Sequence, residues 1–287
     1  MPSRKRVRPS ARRDEGDDLK LHRRAVRADG RDLTVVTLRP GHAARFSTNR
    51  YHGTWHVLTC PRGARLLGRL LWGLSFQRVP GTVVVIGAPH LEPNPFDAEP
   101  SDPIVLVPAG LTILTPRAAR VLRAKAFAPP PSEGTVRWRT WGLDAALDRR
   151  REEQSRPRWW TTRWERPADE RLTAVERAGG TLVLRGSAAQ LRTWATWVWE
   201  LSERMYDGSN HVYLDGWNHG HEGEVQVFTD YRRRADAAAV ARREILARHS
   251  APPLPADLNP LVWEHGAAVR ARARRGAGAV PAASEPA

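Results

Sequence analysis

The chain has 287 residues, 41% of them hydrophobic, which is enough for one large domain or two small ones. No apolar stretch reaches the roughly 20 residues that a membrane-spanning helix needs. The N-terminus has no apolar export segment, and the single cysteine, Cys60, excludes an internal disulfide. These features predict a cytoplasmic protein without a membrane span.

The formal charge is +15, and 43 of the 46 basic residues are arginine. Arginine attracts phosphate groups, which favours a nucleic-acid partner. The chain is also poor in Ile, Asn, Tyr and Phe, a pattern that a high-G+C bacterial genome produces without selection for binding. Because the first 50 residues hold 14 basic and 6 acidic residues, we expect a large share of the excess in a disordered basic tail, residues 1–20.

The first half of the folded chain predicts an α/β unit with an N-terminal hairpin, residues 21–128. Asp29-Gly30 between two alternating runs predicts the hairpin. Further patterns predict a strand at 55–59, a helix at 61–76, a strand at 82–87, an acidic proline-rich loop at 88–103, strands at 104–107 and 111–114, and a helix from 116 that Thr115 caps.

The second half, residues 129–262, begins after three prolines with segments rich in Arg and Trp. Its patterns predict a polar helix near 143–154, a strand at 181–185, a helix that Ser187 caps, strands at 211–214 and 224–231, and a helix at 235–248. Residues 263–287 are predicted to be a second disordered tail. The fold class is therefore α+β (mixed α/β), with two sheet-and-helix halves, each strand-helix-strand-strand-helix, and disordered basic tails.

One constant shift along the chain, which we call the repeat offset, aligns the two halves without a gap from the first helix to the following strand. It pairs Arg65 with Arg192, Trp72 with Trp199, Leu74 with Leu201, Ser75 with Ser202, Gly81 with Gly208 and Val85 with Val212. We interpret this as a candidate internal duplication. The alternative is chance similarity between amphipathic helices in a biased composition.

The second half also carries a resemblance. The run Thr-Leu-Val-Leu-Arg-Gly-Ser at 181–187, the helix after it and His-Val-Tyr-Leu-Asp at 211–215 resemble small α/β immunity proteins of bacterial toxin systems. The resemblance covers residues 180–231 and implies a protein partner and no reaction.

Two sets of side chains are candidates for catalysis or metal binding. Cys60 lies just before a helix, whose positive end favours the reactive thiolate, and His56 precedes it by four residues. Only four residues separate Cys60 from Arg65, where the phosphate-transfer loop has five, and the alternative is a small buried thiol. His211, His219, His221 and Glu222 offer donors that suit zinc or another first-row metal, and the alternative is a polar hairpin loop.

Arginine interleaved with tryptophan is typical of single-strand binders. The candidates for nucleic-acid or anion binding are Arg137, Trp138, Arg139, Trp141, Arg158, Trp159, Arg163 and the helix start Arg232, Arg233, Arg234. Strand alternation gives a competing interpretation, in which Val136, Trp138 and Thr140 face one way and Arg137, Arg139 and Trp141 the other.

No common enzyme motif accompanies these residues. The sequence therefore favours a non-enzymatic binding protein with nucleic acid as first partner and a protein partner of immunity type as second. A hydrolase that uses Cys60 or the His219/His221 loop is the third hypothesis. Substrate and oligomeric state stay open.

Overall fold

The computed structural model describes residues 19–156, 173–214, 223–249 and 253–278. The strands are β1 (Lys20–Ala28), β2 (Arg31–Thr37), β3 (Phe46–Tyr51), β4 (Thr54–Thr59), β5 (Thr82–Ile86), β6 (Ile104–Pro108), β7 (Gly134–Arg137), β8 (Ala174–Ala178), β9 (Thr181–Gly186), β10 (Ser209–Tyr213) and β11 (Gly223–Phe228). The helices are α1 (Pro61–Leu74), α2 (Pro116–Phe127), α3 (Leu143–Ser155), α4 (Ala188–Glu200), α5 (Tyr231–Leu246) and α6 (Pro255–Gly278).

The strands form two mixed sheets. The larger has the order β7-β1-β2-β5-β6-β9-β8, and the smaller has the order β10-β11-β4-β3. The α+β class is therefore confirmed. The predicted boundary between residues 128 and 129 does not separate the sheets, because β6 pairs with β9 in the larger sheet and β4 pairs with β11 in the smaller one.

Helices α1 and α4 pack against each other and lie in the largest apolar core, together with one face of each sheet. Helix α2 covers the other face of the larger sheet, where Leu122 contacts a layer of valines from β2, β5, β6 and β9. On the other face of the smaller sheet, Tyr231 at the start of α5 packs on Leu58 and Phe228.

The bounds of the elements support the duplication. The repeat offset brings β4 onto β9 and α1 onto α4, apart from the last helical residue. The hairpins before them turn at His52-Gly53 and at Gly179-Gly180, where every φ is positive, and their strand registers also agree. The match fails by one residue in the next strand. The repeat offset pairs Val85 with Val212, but Val84 is the residue that faces the largest apolar core, as Val212 does, and Val85 faces the opposite side of the sheet.

The two halves that the repeat offset aligns exchange their hairpins. In the smaller sheet, β4 of the first half lies parallel to β11 of the second, and in the larger sheet, β9 of the second lies parallel to β6 of the first. The order β10-β11-β4-β3 consequently has the same pattern as β5-β6-β9-β8. Gly68 and Ala195, which the repeat offset also relates, meet where α1 crosses α4.

Three predictions need correction. The expected tail at 263–287 is helical as far as Gly278, because Leu258, Val262 and Val269 bury an apolar stripe against α5. Residues 111–114 are not a strand, since Gly110 turns the chain at φ +78°. Strands β3 and β8, which the sequence did not predict, complete the two hairpins. Residues 1–18 and 279–287 of the predicted tails lie outside the described residues.

Candidate functional site

The excess positive charge belongs to the described part of the chain. Its residues include 36 basic and 21 acidic side chains, which accounts for the whole +15. Residues 1–18 hold 6 basic and 4 acidic side chains. The expectation that much of the excess sits in an N-terminal tail is therefore wrong.

One end of the larger sheet carries most of this charge. Residues 19–39 and 116–139, which include β1, β2, α2 and β7, hold 12 basic and 3 acidic side chains. We call this region the basic sector. It is continuous because β7 pairs with β1, β1 pairs with β2 and α2 packs over them. Residues 230–249 and 253–278, which include α5 and α6, hold 10 basic and 5 acidic side chains, and the other described residues are nearly neutral, with 14 and 13.

Two exposed aromatic rings lie beside the basic sector, where the chain leaves β7. Trp141 is 53% exposed and Phe76 is 55% exposed. The guanidinium of Arg139 lies 4.5 Å from the centre of the Trp141 ring, and that of Arg192 lies 5.5 Å from the centre of the Phe76 ring. Trp72 joins them, because its ring centre is 5.7 Å from that of Phe76 and its Nε1 donates to Trp141 O. We call these residues the aromatic platform.

The predicted Arg/Trp residues of this segment differ in their exposure to solvent. Arg137, Arg139 and Trp141 are exposed. Trp138 is only 1% exposed, and its Nε1 donates to Arg69 O at 3.0 Å, so its assignment to a binding surface is wrong. The ring fits over Gly73 of α1, where a Cβ would lie 2.2 Å from Trp138 Nε1. The other three candidates, Arg158, Trp159 and Arg163, lie outside the described residues.

The predicted anion site at the start of α5 is occupied by carboxylates of the protein itself. Arg232 lies 3.0 Å from Glu92, and Arg234 pairs with Asp230. Arg233 is exposed and has no side-chain partner among the described residues. The positive charge at the start of α5 is thus largely offset, and the basic sector is the stronger candidate for a surface that binds anions or nucleic acid.

A buried polar row crosses the smaller sheet. Asn49 on β3, His56 on β4 and Glu224 on β11 are register partners. His56 Nδ1 lies 2.9 Å from Asn49 Oδ1, and His56 Nε2 lies 3.2 Å from Glu224 Oε2. Asn49 and Glu224 thus each contact one ring nitrogen of His56. Gln226 Nε2 donates to the other Glu224 oxygen at 2.9 Å.

Burial by itself would raise the pKa of Glu224. Hydrogen bonds from His56 and Gln226, together with the charges of His56 and His211, outweigh burial and lower the pKa below its ordinary value. The row therefore holds an ionised carboxylate beside a histidine in the interior of the protein. Its donors and acceptors are mutually satisfied, which is the arrangement of a structural pair.

The proposed pairing of Cys60 with His56 does not form. The two residues are four apart along extended chain, so their Cα atoms are about 13 Å apart, and Leu58 lies between them on the same face. Cys60 caps α1 without a side-chain hydrogen bond and packs against the apolar cluster of Leu58, Phe228 and Tyr231. This placement agrees with a half-buried packing role.

The predicted metal ligands can be followed in part. His211 is exposed on β10, whereas His219, His221 and Glu222 lie outside the described residues. Within the described residues, no group of three or more His, Cys, Asp or Glu side chains is arranged to hold a metal ion. None of the described helices is long and apolar enough to cross a membrane.

No protein-family model, curated protein or solved structure matches the chain. The resemblance of residues 180–231 to immunity proteins stays a prediction.

Proposed function

We propose that the protein is a non-enzymatic nucleic-acid-binding protein that holds single-stranded nucleic acid on the basic sector and the aromatic platform. The observation that carries the proposal is the concentration of charge, 12 basic against 3 acidic side chains at one end of one sheet. Basic groups that neutralise phosphates release counterions, and this release drives association.

The aromatic platform favours a single strand as the ligand. Bases of a single strand are free to stack on exposed rings, and arginine beside a ring adds attraction for the adjacent phosphate. Trp141 and Phe76 provide two such rings, with a guanidinium 4.5 Å from the centre of the first and 5.5 Å from the centre of the second. In a duplex the bases are already stacked on each other, so no base face is available to stack on these rings.

The decisive experiment compares two variants of equal charge. The sector variant replaces Arg23, Arg31 and Arg137 by Gln. The control variant replaces three other arginines by Gln: Arg243 on α5, Arg248 in the turn after α5 and Arg275 on α6. All six side chains are exposed and have no described side-chain partner. Each variant therefore lowers the net charge by three without removing a contact.

Affinity for a single-stranded oligonucleotide is measured by fluorescence anisotropy from low to high salt. We expect the sector variant to bind more weakly and its slope of log K against log salt to fall by about 2, at roughly 0.7 per lost phosphate contact. The control variant should change the slope much less. Equal slopes for the two variants, or no binding by the unmodified protein at low salt, would contradict the proposal.

Trp141→Ala tests the preference for a single strand. Loss of stacking should weaken single-strand binding by about 1–3 kcal/mol and leave duplex binding nearly unchanged. If the substitution affects neither ligand, the platform does not take part in binding.

A further inference from the structure

A small cavity of about 70 Å³ opens on the α2 side of the basic sector. Strands β1 and β2, the segment after β5 and the end of α2 form its walls. Five polar or charged side chains line it, and none is acidic: His22, Arg24, Thr37, His90 and Lys125. The end of α2 lies close to this wall because Gly87 has no side chain, since a Cβ there would lie 2.3 Å from Ala126 O.

Arg24 is a buried cation without an acidic partner. Its side chain is 8% exposed, Nε donates to Pro130 O at 2.6 Å, and Nη1 donates to Thr37 Oγ1. Nη2 has no acceptor among the described residues. Buried charges in proteins are ordinarily paired with an opposite charge, and burial lowers the pKa of Arg24.

Lys125, on the last turn of α2, is a second cation in the lining of the cavity. Burial, together with the charges of Arg24 and Arg39, lowers the pKa of His22, so its ring is a neutral group near pH 7 and offers a ring N–H to a ligand. Thr37 accepts from Arg24, so its own hydroxyl hydrogen is available for a ligand. Both ring nitrogens of His90 face main-chain oxygens, at 2.9 Å and 3.2 Å, so His90 forms part of the wall.

We propose that this cavity is a binding site for one phosphoryl-type oxyanion, held by Arg24 Nη2, the Thr37 hydroxyl, the Lys125 ammonium and the His22 ring. The volume suits one tetrahedral anion and is too small for a nucleoside. A free phosphate ion and the terminal phosphate of a nucleic acid present the same chemistry. The inference goes beyond the proposed function, because a free ion satisfies it without nucleic acid.

Calorimetric titration with inorganic phosphate tests the site, with chloride at equal ionic strength as reference. Lys125→Ala removes an exposed cation and keeps the fold, and Arg24→Met removes the buried charge while retaining an apolar stem. Each should weaken phosphate binding about tenfold or more, the range expected for a lost charge-assisted hydrogen bond. Arg120→Ala, which removes an exposed cation from another face of α2, should leave binding unchanged.

The His22 ring provides a second measurement that is independent of stability. Its proton resonances should shift on phosphate addition in the unmodified protein and in Arg120→Ala, and should need about tenfold more phosphate, or more, to shift in Lys125→Ala. Equal phosphate affinity in the unmodified protein, Lys125→Ala and Arg24→Met would overturn the inference.

Oligonucleotides with a 5′-phosphate or a 5′-hydroxyl separate the two sources of the anion. Tighter binding of the phosphorylated form, lost in Lys125→Ala, assigns the site to a nucleic-acid end. Phosphate binding with no difference between the oligonucleotides assigns it to a free ion. Failure of phosphate to bind, with no 5′-phosphate effect and salt-dependent oligonucleotide binding intact, overturns the cavity site and leaves the proposed function standing.

Discussion

Two buried charged residues of this protein have opposite surroundings. Glu224 is surrounded by the donors of His56 and Gln226, whereas Arg24 meets only neutral oxygens. Neither arrangement was predictable from the sequence, because His56 beside Glu224 and Pro130 beside Arg24 come from segments that are distant along the chain. The sequence placed Glu224 beside a predicted metal loop, but it lies on β11 and faces His56 on a parallel neighbour.

Glu224→Gln should destabilise the protein strongly. The substitution keeps the shape of the side chain, but it replaces the ionised acceptor beside His56 Nε2 by a neutral amide, and a buried hydrogen bond to a charged group contributes about 1.5–3 kcal/mol. Urea unfolding at pH 7 measures the change in the free energy of unfolding. Glu176→Gln is the matched control, because Glu176 pairs with Arg185 at the surface and such pairs contribute about 0–1 kcal/mol.

The difference in the free energy of unfolding between the unmodified protein and Glu224→Gln should depend on pH, because the pKa of Glu224 is lowered in the folded state. The carboxylate stabilises the fold fully above the pKa of an unfolded glutamate, about 4.3, and the stabilisation is lost as the pH falls toward the lower pKa of the folded state. The gap in the free energy of unfolding between the unmodified protein and Glu224→Gln should therefore narrow as the pH falls from 5 to 3. A gap that persists unchanged at pH 3 would exclude this origin.

The Arg/Trp segment shows what local pattern can and cannot give. Strand alternation predicted that Trp138 and Thr140 face one way and Arg139 and Trp141 the other, and the structure confirms this, since the first pair is buried and the second exposed. Alternation does not say which face meets the core. That choice depends on Gly73 of α1, which leaves room for the Trp138 ring.

At the level of elements, short-range signals were reliable. Asp29-Gly30 turns the first hairpin, Thr115 accepts from Ala118 N, and Ser187 accepts from Gln190 N, as the capping patterns predict. Strand β3 was missed because its sequence Phe-Ser-Thr-Asn-Arg-Tyr is largely polar. The pair His52-Gly53 was the one available signal, and it is a weaker hairpin signal than Asn-Gly or Asp-Gly.

Packing of α1 against α4 gives a prediction in which two effects have opposite signs. Helix propensity alone predicts that Gly68→Ala stabilises α1, by up to about 1 kcal/mol. A Cβ at Gly68 would, however, lie 2.9 Å from Ala195 O and 3.4 Å from Trp199 Cβ. We expect the close contact to dominate, with destabilisation of about 1–3 kcal/mol.

Chemical denaturation of Gly68→Ala measures this balance. Gly41→Ala serves as control, because no atom lies within 4 Å of its added Cβ and its φ is not positive; a change within about 0.5 kcal/mol is expected there. Stabilisation by Gly68→Ala would show that the helices separate easily.

At the scale of the whole molecule, the repeat offset aligned the two halves of the chain but did not predict that they exchange hairpins. Pairing of β4 with a strand of its own half would produce the same sequence pattern as its pairing with β11. The loop at 88–103 joins the two sheets, because it runs beside β3 between β5 and β6: Phe46 N donates to His90 O, and Glu92 N donates to Phe46 O. Which distant strands pair depends on the relative stability of complete folds, and a short stretch of sequence does not contain that information.

Exchange of the hairpins predicts that neither half folds as a monomer. A fragment of residues 19–128 has β4 and β6 without their parallel partners, and a fragment of residues 129–278 has β9 and β11 in the same condition. Each exposes sheet edges and loses half of the core around α1 and α4. Far-UV circular dichroism and native mass spectrometry of the separate and mixed fragments test this. We expect a folded one-to-one complex on mixing and no cooperative monomer of either fragment, because each sheet is complete only when both halves contribute to it. A cooperatively unfolding monomer of either fragment would mean that a hairpin can return to its own half, and the exchange would then not be required for folding.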